Sequence, residues 1–364
     1  MPVLSHLDFR SNGSELMNIE SLIRTNIRAL KPYHSARQDF LSGVLLDANE
    51  NSFGSTLNVD ELPLNRYPDP SQHELRTIIA KLNGVTWENI FVGVGSDEVI
   101  DLLVRLFCEP KKDSVILLEP TYGMYRVAAS IQDVKIHSCL LTEQFQIDLD
   151  GVKKTIDATT KLIFCCSPNN PTANLLLGKD ILALCELGIM VIVDEAYIDF
   201  AHSSSIGKQT ITHSNLVVMR TLSKAWGLAG IRLGYCIADP LVVSYLMKVK
   251  APYNINALTS RAAVQALCKE DEVQQTINAI IEERTWLAAQ LRALPCIEHV
   301  FPSQANFLLV RCKNATALYD YLVCKEIIVR NRSTEPLLQN CLRITVGTRN
   351  ENEQLIRAMK DFCL

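Results

Sequence analysis

Residues 215–235 read NLVVMRTLSKAWGLAGIRLGY, and this stretch carries the pattern from which the architecture is predicted. An apolar, β-branched run at 215–219 is followed at once by a turn that contains hydroxyls, glycines and a single lysine, Lys224. A strand that is buried on both faces has this continuous apolar character, whereas a surface helix spreads its charges along one face. The run is therefore predicted to be a buried strand, and the amine of Lys224 requires a chemical explanation.

The same succession of apolar run and polar turn occurs four more times upstream. The runs lie at 90–94, 114–118, 161–165 and 190–193, and longer helical patterns separate them. Strands that alternate with helices form parallel sheets. We therefore predict an α/β fold in which residues 46–251 form a large domain around a mostly parallel central sheet.

The pattern changes after Tyr235. A long helical region at 241–294 is followed by two strand-like runs, at 306–311 and 341–346. A chain of 364 residues is long enough to build two domains. We predict a smaller α+β domain at 252–364, with residues 1–45 forming an N-terminal arm that contributes to it.

The composition argues against several classes of protein. With a formal net charge of -4, the chain has no general attraction to nucleic acid. Its 12 cysteines have no C-x-x-C spacing, so we expect free thiols in a reducing compartment and no metal site. The N-terminus has no signal-peptide pattern, and the most apolar stretch, 181–193, is too short to span a bilayer. We expect a cytoplasmic protein that binds small molecules rather than nucleic acid or membrane.

The polar turns are expected to form one binding site, because ligands of open α/β sheets bind beyond the carboxyl ends of the strands. These turns would bring together a glycine-opened helix start, an aromatic ring, an amide, a carboxylate, hydroxyls and an amine. The residues concerned are Gly95, Ser96, Asp97, Tyr122, Asn170, Asp194, Tyr197, Thr221, Ser223 and Lys224.

Each of these features also has a purely structural interpretation. The turn at 95–97 fits a phosphate cradle or an ordinary helix cap equally well. Tyr122 alone could pack in the core, Asn170 could only fix its turn, and Asp194 could be a cap or a structural ion pair. Taken together, however, the groups suit a flat, phosphorylated aldehyde with a ring nitrogen, which is pyridoxal 5'-phosphate.

Short motifs along nearly the whole chain carry a family resemblance. They are LKPY (30–33), LDANEN (46–51), RYPDP (66–70), GSDE (95–98), SPNNPT (167–172), DEAY (194–197), TLSKA (221–225), GIRLG (230–234) and LRITVGT (342–348). In this order they resemble the fold-type I, class II pyridoxal-phosphate-dependent aminotransferases, and among them the histidinol-phosphate aminotransferase family. One position departs from that family, since Ala173 stands where its Asn-Pro-Thr-Gly turn has glycine.

The resemblance implies a role for each residue that contacts the cofactor ring. Lys224 would form the imine with the cofactor aldehyde and then move a proton between substrate and cofactor. Asp194 would keep the ring nitrogen protonated, so that the ring accepts electrons. Asn170 and Tyr197 would hydrogen-bond the phenolic oxygen, and Tyr122 would stack on the ring.

The resemblance also implies how the phosphate and the subunits are arranged. The phosphate would bind the backbone of Gly95, Ser96 and Asp97 and the side chains of Thr221, Ser223 and Arg232. Tyr67 would reach the phosphate of a neighbouring subunit. The active form would then be a homodimer with shared active sites.

The substrates implied by the resemblance are L-histidinol phosphate and 2-oxoglutarate, which would exchange an amino group in histidine biosynthesis. Arg343 would receive the amino-acid carboxylate, while Arg330 and Tyr33 would contact the phosphate of histidinol phosphate, next to Asn170. An aminotransferase for aromatic amino acids and a decarboxylase of a phosphorylated amino acid remain alternatives on the same fold. A non-catalytic sensor is disfavoured because Lys224, Asp194 and Arg232 are all present.

Overall fold

The computed structural model describes residues 18–30 and 62–363. Its strands are β1 Ile90–Val94, β2 Ser114–Glu119, β3 Lys135–Leu140, β4 Thr160–Cys166, β5 Met190–Asp194, β6 Leu216–Thr221, β7 Leu233–Ile237, β8 Ile297–Val300, β9 Phe307–Cys312, β10 Arg330–Asn331 and β11 Cys341–Thr345. Its α-helices are α1 Ile19–Leu22, α2 Thr25–Ala29, α3 His73–Asn83, α4 Gly95–Phe107, α5 Met124–Ile131, α6 Leu149–Thr155, α7 Gly178–Cys185, α8 Pro240–Val249, α9 Ala257–Leu267, α10 Glu270–Arg292, α11 Ala315–Cys324 and α12 Arg349–Phe362.

A seven-stranded sheet has the order β1-β7-β6-β5-β4-β2-β3. The pairs from β3 through β2, β4 and β5 to β6 are parallel, and β7 is antiparallel to both of its neighbours. The prediction of a mostly parallel sheet is confirmed. All five apolar runs are strands of this sheet, each within two residues of its predicted limits.

The seven-stranded sheet is buried on both faces, as its apolar strands require. Along β4, Leu162 and Phe164 belong to one hydrophobic cluster, while Ile163 and Cys165 belong to another. Helices α4, α5 and α8 supply side chains to the first cluster, and α6 and α7 supply them to the second. Because successive strand residues point to opposite faces, the sheet has a layer of helices on each side.

A second, antiparallel sheet has the order β10-β11-β9-β8. It shares a core with side chains from α10, α11 and α12. Helix α9 packs elsewhere: Ala263 and Leu267 lie in a cluster with Leu75 and Ile90 of the larger unit. The domain limits 46–251 and 252–364 stay a prediction, and residues 1–17 and 31–61 lie outside the described ranges.

Arg284 connects helix α10 to the segment that follows β5 and to the segment that precedes β9. Arg284 of α10 is buried, and its Nη1 donates to the carbonyl oxygens of Phe200, at 3.1 Å, and Ala305, at 2.8 Å. A buried guanidinium that bridges two backbone segments fixes them relative to each other. Within the described ranges, no helix has both the length and the apolar character needed to cross a bilayer.

Candidate active site

The carboxyl ends of the parallel strands surround a cavity of about 230 Å³. Predicted site residues from all five turns line it: Ser96, Asp97, Tyr122, Asn170, Asp194, Tyr197, Thr221, Ser223, Lys224 and Arg232. Cys166, Ala196 and Ala229 complete the lining. Residues up to 136 positions apart in sequence therefore meet because parallel strands end at one edge of the sheet.

Lys224 lies in the turn that follows β6. The turn is held by Thr221, whose Oγ1 accepts from the Ser223 N–H at 3.1 Å and donates to the Ser223 hydroxyl at 3.0 Å. Lys224 lines the cavity and is exposed. Its Nζ lies 5.7 Å from the ring centroid of Tyr197. Among the described residues, its Nζ has no hydrogen bond or ion pair. Partial burial of the amine, together with the charge of Arg343, lowers the pKa of Lys224.

Asp194 ends β5 and is only 3% exposed. Its Oδ1 accepts from the Ala196 N–H at 3.0 Å, and its Oδ2 accepts from the Tyr125 hydroxyl at 2.6 Å. Burial raises the pKa of Asp194, while these two hydrogen bonds act to lower it. No cation within the described part of the chain forms an ion pair with this carboxylate.

The cradle between β1 and α4 depends on two glycines. Gly95 has a φ of 70°, and a Cβ atom there would lie 2.7 Å from Nη2 of Arg232. A Cβ atom on Gly234 would lie 2.3 Å from the backbone nitrogen of Ser96. These close approaches, with the N–H groups of the first helical turn, form a concave and electropositive backbone surface.

Asp97 connects the cradle with the aromatic side of the cavity. Its Oδ2 lies 3.3 Å from Nη2 of Arg232, and its Oδ1 accepts from the Tyr122 hydroxyl at 3.2 Å. Arg232 itself has a φ of 55°, and its carbonyl oxygen accepts from the Gly95 N–H at 2.8 Å. The guanidinium, the helix start and the Tyr122 ring are thus positioned together.

Arg343 of β11, in the smaller sheet, is not among the lining residues but contacts one of them, Asn170. Its Nη1 donates to Oδ1 of Asn170 at 2.6 Å, and the guanidinium lies over the ring of Phe307. Burial lowers the pKa of Arg343. Arg330 pairs with Arg343 across the β10–β11 ladder but is exposed, whereas Arg332 forms a 2.6 Å ion pair with Glu335.

Four of the predicted residues that the structure describes are not among those that line the cavity: Gly95, Tyr67, Arg330 and Arg343. Tyr67 is 50% exposed, and its ring stacks on Tyr253 with the centroids 4.5 Å apart. Tyr33 lies outside the described residues. Tyr125, in contrast, was not predicted as a site residue, because it lies in an apolar helical run without any polar motif.

Ala173 keeps the left-handed backbone conformation that glycine adopts easily. Its φ is 64°, its N–H donates to the carbonyl of Asn169 at 2.7 Å, and its own carbonyl accepts from the Gln304 N–H at 2.7 Å. The methyl group is fully buried. The turn that presents Asn170 therefore forms despite the alanine.

We expect Ala173→Gly to change the free energy of unfolding by less than about 1 kcal/mol. Relief of left-handed strain, about 1–2 kcal/mol, is opposed by loss of a buried methyl, about 0.8 kcal/mol, and by a more flexible unfolded chain, about 0.5–1 kcal/mol. Ala173→Val should cost more than about 2 kcal/mol, because a β-branched residue does not tolerate this φ. Urea unfolding of both variants tests this, and a valine variant as stable as the parent would contradict it.

A metal centre has no support in the described residues, since residues 18–30 and 62–363 contain no group of three or more His, Cys, Asp or Glu side chains that could hold an ion. The cavity instead offers an amine, a buried carboxylate and an anion cradle. Such a set suits an organic ligand that carries an anionic group and a basic ring.

Comparison with known proteins gives consistent matches. Residues 42–359 match the family model of aminotransferase class I and II. The histidinol-phosphate aminotransferase of Bacteroides thetaiotaomicron is 45% identical over 351 residues, which cover 95% of this chain and 99% of that protein.

Solved structures have the same fold. The histidinol-phosphate aminotransferase from Clostridium acetobutylicum has a TM-score of 0.76 at 26% identity and covers 82% of this chain and 91% of its own. That of Sinorhizobium meliloti, in complex with pyridoxal-5'-phosphate, has a TM-score of 0.74 at 23% identity and covers 82% of this chain and 83% of its own. The family resemblance seen in the motifs is thereby confirmed, and the chain belongs to the class I and II aminotransferases and, within them, to the histidinol-phosphate aminotransferase family.

Proposed function

We propose that the chain is a pyridoxal-phosphate-dependent enzyme that transfers an amino group reversibly between L-histidinol phosphate and 2-oxoglutarate. The products are imidazole-acetol phosphate and glutamate, a reaction of histidine biosynthesis. The observation that carries the proposal is that Lys224, Asp194 and Arg232 line one cavity. The relatives of the same family, which match along almost the whole chain, support the choice of reaction.

The donor set of the cavity fits pyridoxal phosphate. Asp194 is a buried carboxylate without a cationic partner among the described residues, so a protonated ring nitrogen would supply the missing charge. At the other side, Arg232 and the start of α4 suit a phosphate. Tyr122 would stack on the ring, and Asn170 and Tyr197 would hydrogen-bond its phenolic oxygen.

When bound, pyridoxal phosphate supplies an aldehyde that bonds to amines and a ring that accepts electrons. The side chains of the protein transfer the proton and hold the cofactor in position. Lys224 holds and releases a proton at Nζ, and its lowered pKa leaves a larger neutral fraction for general base catalysis. Thr221 and Ser223 lie in the same short turn, so one segment would anchor both the aldehyde end and the phosphate end of the cofactor.

The substrate side of the proposal rests on arginines of the smaller sheet. Arg343 donates to Asn170 and so is placed where a carboxylate or phosphate can bind both of its nitrogens. Arg330 adds a second positive charge on the neighbouring strand. Tyr33 would complete the phosphate contact.

A half-reaction assay tests the proposed function. The purified enzyme loaded with pyridoxal phosphate is offered glutamate, histidinol phosphate and phenylalanine separately, and conversion of the cofactor is followed by its absorption. We expect rapid conversion by glutamate and histidinol phosphate. Conversion by phenylalanine but not by histidinol phosphate would favour the aromatic aminotransferase, and release of carbon dioxide from a phosphorylated amino acid would favour the decarboxylase.

We also propose that the enzyme is a homodimer in which Tyr67 serves the site of the other subunit. Tyr67 is 50% exposed and its ring stacks on Tyr253, and the RYPDP motif that contains it is the basis of this proposal. A hybrid dimer of one Tyr67→Ala chain and one Lys224→Ala chain would contain one intact site. We expect the purified hybrid of the two weakly active or inactive variants to recover activity, up to half of the parent value. No recovery in a hybrid isolated through a different affinity tag on each chain would contradict sharing.

A further inference from the structure

A fully buried tyrosine, Tyr125, contacts two residues of the proposed cofactor site, Tyr122 and Asp194, but does not itself line the cavity. It lies on α5, where its ring stacks on Phe164 with the centroids 4.7 Å apart and meets Tyr122 edge-on at 5.6 Å. Aromatic neighbours on two sides restrict the rotation of the ring. The hydroxyl of Tyr125 therefore has a fixed position.

That hydroxyl lies 2.6 Å from Oδ2 of Asp194. An ionised carboxylate only accepts hydrogen bonds, so the tyrosine is the donor, and a donor–acceptor distance this short is typical of a bond to a charged group. Burial and the nearby Asp194 raise the pKa of Tyr125 well above its usual value. The phenol consequently keeps its proton and remains a donor at every physiological pH.

Asp194 depends on such donors. It is 3% exposed, and burial favours its neutral form. The Ala196 N–H binds Oδ1, and Tyr125 provides the side-chain donor to Oδ2. Without that donor the carboxylate would take up a proton more readily and would be free to turn, and a neutral acid cannot balance the charge of a protonated ring nitrogen.

We propose that Tyr125 is a positioning residue that keeps Asp194 ionised and oriented towards the ring nitrogen of the cofactor. This inference rests on the proposed function. It concerns a residue that does not line the cavity and acts only through Asp194. A tyrosine that only filled the core would contribute to stability but not to the charge at the ring nitrogen.

Tyr125→Phe removes one oxygen and keeps the ring contacts, so it is the variant of choice. Tyr245→Phe is a matched control, because the Tyr245 hydroxyl also donates to a carboxylate, Oε1 of Glu20 at 3.2 Å, on the α1–α8 side of the molecule. Apoprotein of the parent and of each variant is titrated with pyridoxal phosphate. The pH dependence of the visible absorption of the bound cofactor and the melting temperature are also measured.

We expect Tyr125→Phe to bind pyridoxal phosphate at least about ten-fold more weakly, since hydrogen bonds to charged groups are the stronger ones. The pH midpoint of the absorption change should rise, because a less positive ring withdraws fewer electrons from the bond to Lys224. Tyr245→Phe should stay within about two-fold of the parent affinity, which is the scatter expected of a remote substitution. Parent affinity and an unchanged midpoint in a folded Tyr125→Phe protein would overturn the proposal.

Two further measurements test whether Tyr125 acts through Asp194, and whether a negative result comes from misfolding of the variant. In an Asp194→Asn background the Tyr125→Phe effect should vanish, because the residue acts through the carboxylate. A full effect in that background would overturn the proposal. If Tyr125→Phe does not fold, difluorotyrosine at position 125 keeps the shape and strengthens the donor, so the midpoint should fall, and an unchanged midpoint would overturn the inference. Failure of the parent protein to bind pyridoxal phosphate would instead reject the proposed function itself.

Discussion

Lys224→Ala is expected to lower kcat by at least about 10⁴-fold, because the variant loses both the covalent bond to the cofactor and the proton-transferring amine. Lys224 is the lysine that lines the cavity, and no second amine of the described chain lies among the lining residues. The fold should persist, since Nζ of Lys224 has no hydrogen bond or ion pair within the described residues.

Steady-state kinetics and reductive trapping with borohydride test this expectation together. Trapping should attach the cofactor to the peptide that contains Lys224 in the parent protein and to none in the variant. Lys250→Met is the matched control, because burial also lowers the pKa of Lys250, to about 8, but its Nζ donates to the carbonyls of Ala251 and Pro252. A folded Lys224→Ala protein that retained more than a few per cent of the parent activity would refute the role of Lys224.

Arg343→Lys is expected to lower kcat/KM for glutamate and for histidinol phosphate together, by about 30-fold or more. The loss of a charge-assisted pair in a closed site costs about 2–5 kcal/mol, and lysine keeps the charge but not the two-pronged geometry. The value of kcat/KM should fall for both substrates, because the carboxylate of one and the phosphate of the other would bind the same cationic region. Lysine would also lose the contact of Nη1 with Asn170.

The matched control is Arg311→Lys, on the neighbouring strand β9. Arg311 donates to the carbonyl of Leu337 and lies over the ring of Phe301, so it resembles Arg343 in its surroundings but does not contact Asn170. The main effect of Arg311→Lys should be on the free energy of unfolding, with a smaller effect on kcat/KM. Arg330→Ala should lower kcat/KM for histidinol phosphate at least as strongly as kcat/KM for glutamate. If Arg343→Lys impaired only one of the two substrates, separate sites would have to be assigned to the carboxylate and the phosphate.

The strands of the large sheet could be predicted because they are buried on both faces and therefore read as unbroken apolar runs. Run 90–94, for example, coincides with β1. Two other strands of this sheet were not predicted. β3 is an edge strand with polar and partly exposed residues, and β7 follows a short turn whose glycines resemble loop sequence. Edge position weakens the apolar signal of β3, whereas β7 is fully buried and its short apolar run is interrupted by Gly234.

The turn residues could be predicted as a set because the fold rule brings all strand ends to one edge. The sequence could not decide between a structural and a ligand-binding role for each residue, since a tyrosine in the core and a tyrosine at a ligand can have the same sequence pattern around them. Tyr122 lines the cavity, whereas Tyr125, three residues later, points into the core and binds Asp194 from behind. Helical periodicity describes which face is apolar, but it does not describe which hydroxyl reaches a carboxylate 69 residues away.

The sequence by itself determined the parallel architecture, the position of Lys224 after β6 and the family, because these depend on local apolar runs and on motifs that are contiguous in the chain. Only the tertiary structure decided that Asp194 takes its hydrogen bonds from Tyr125 and Ala196, that Arg343 meets Asn170, and that Ala173 keeps the left-handed turn. The physical reason is that each of these contacts depends on distances and backbone angles set by the packing of the surrounding elements. Such packing places side chains to within fractions of an ångström, a precision that no local pattern of residue types contains.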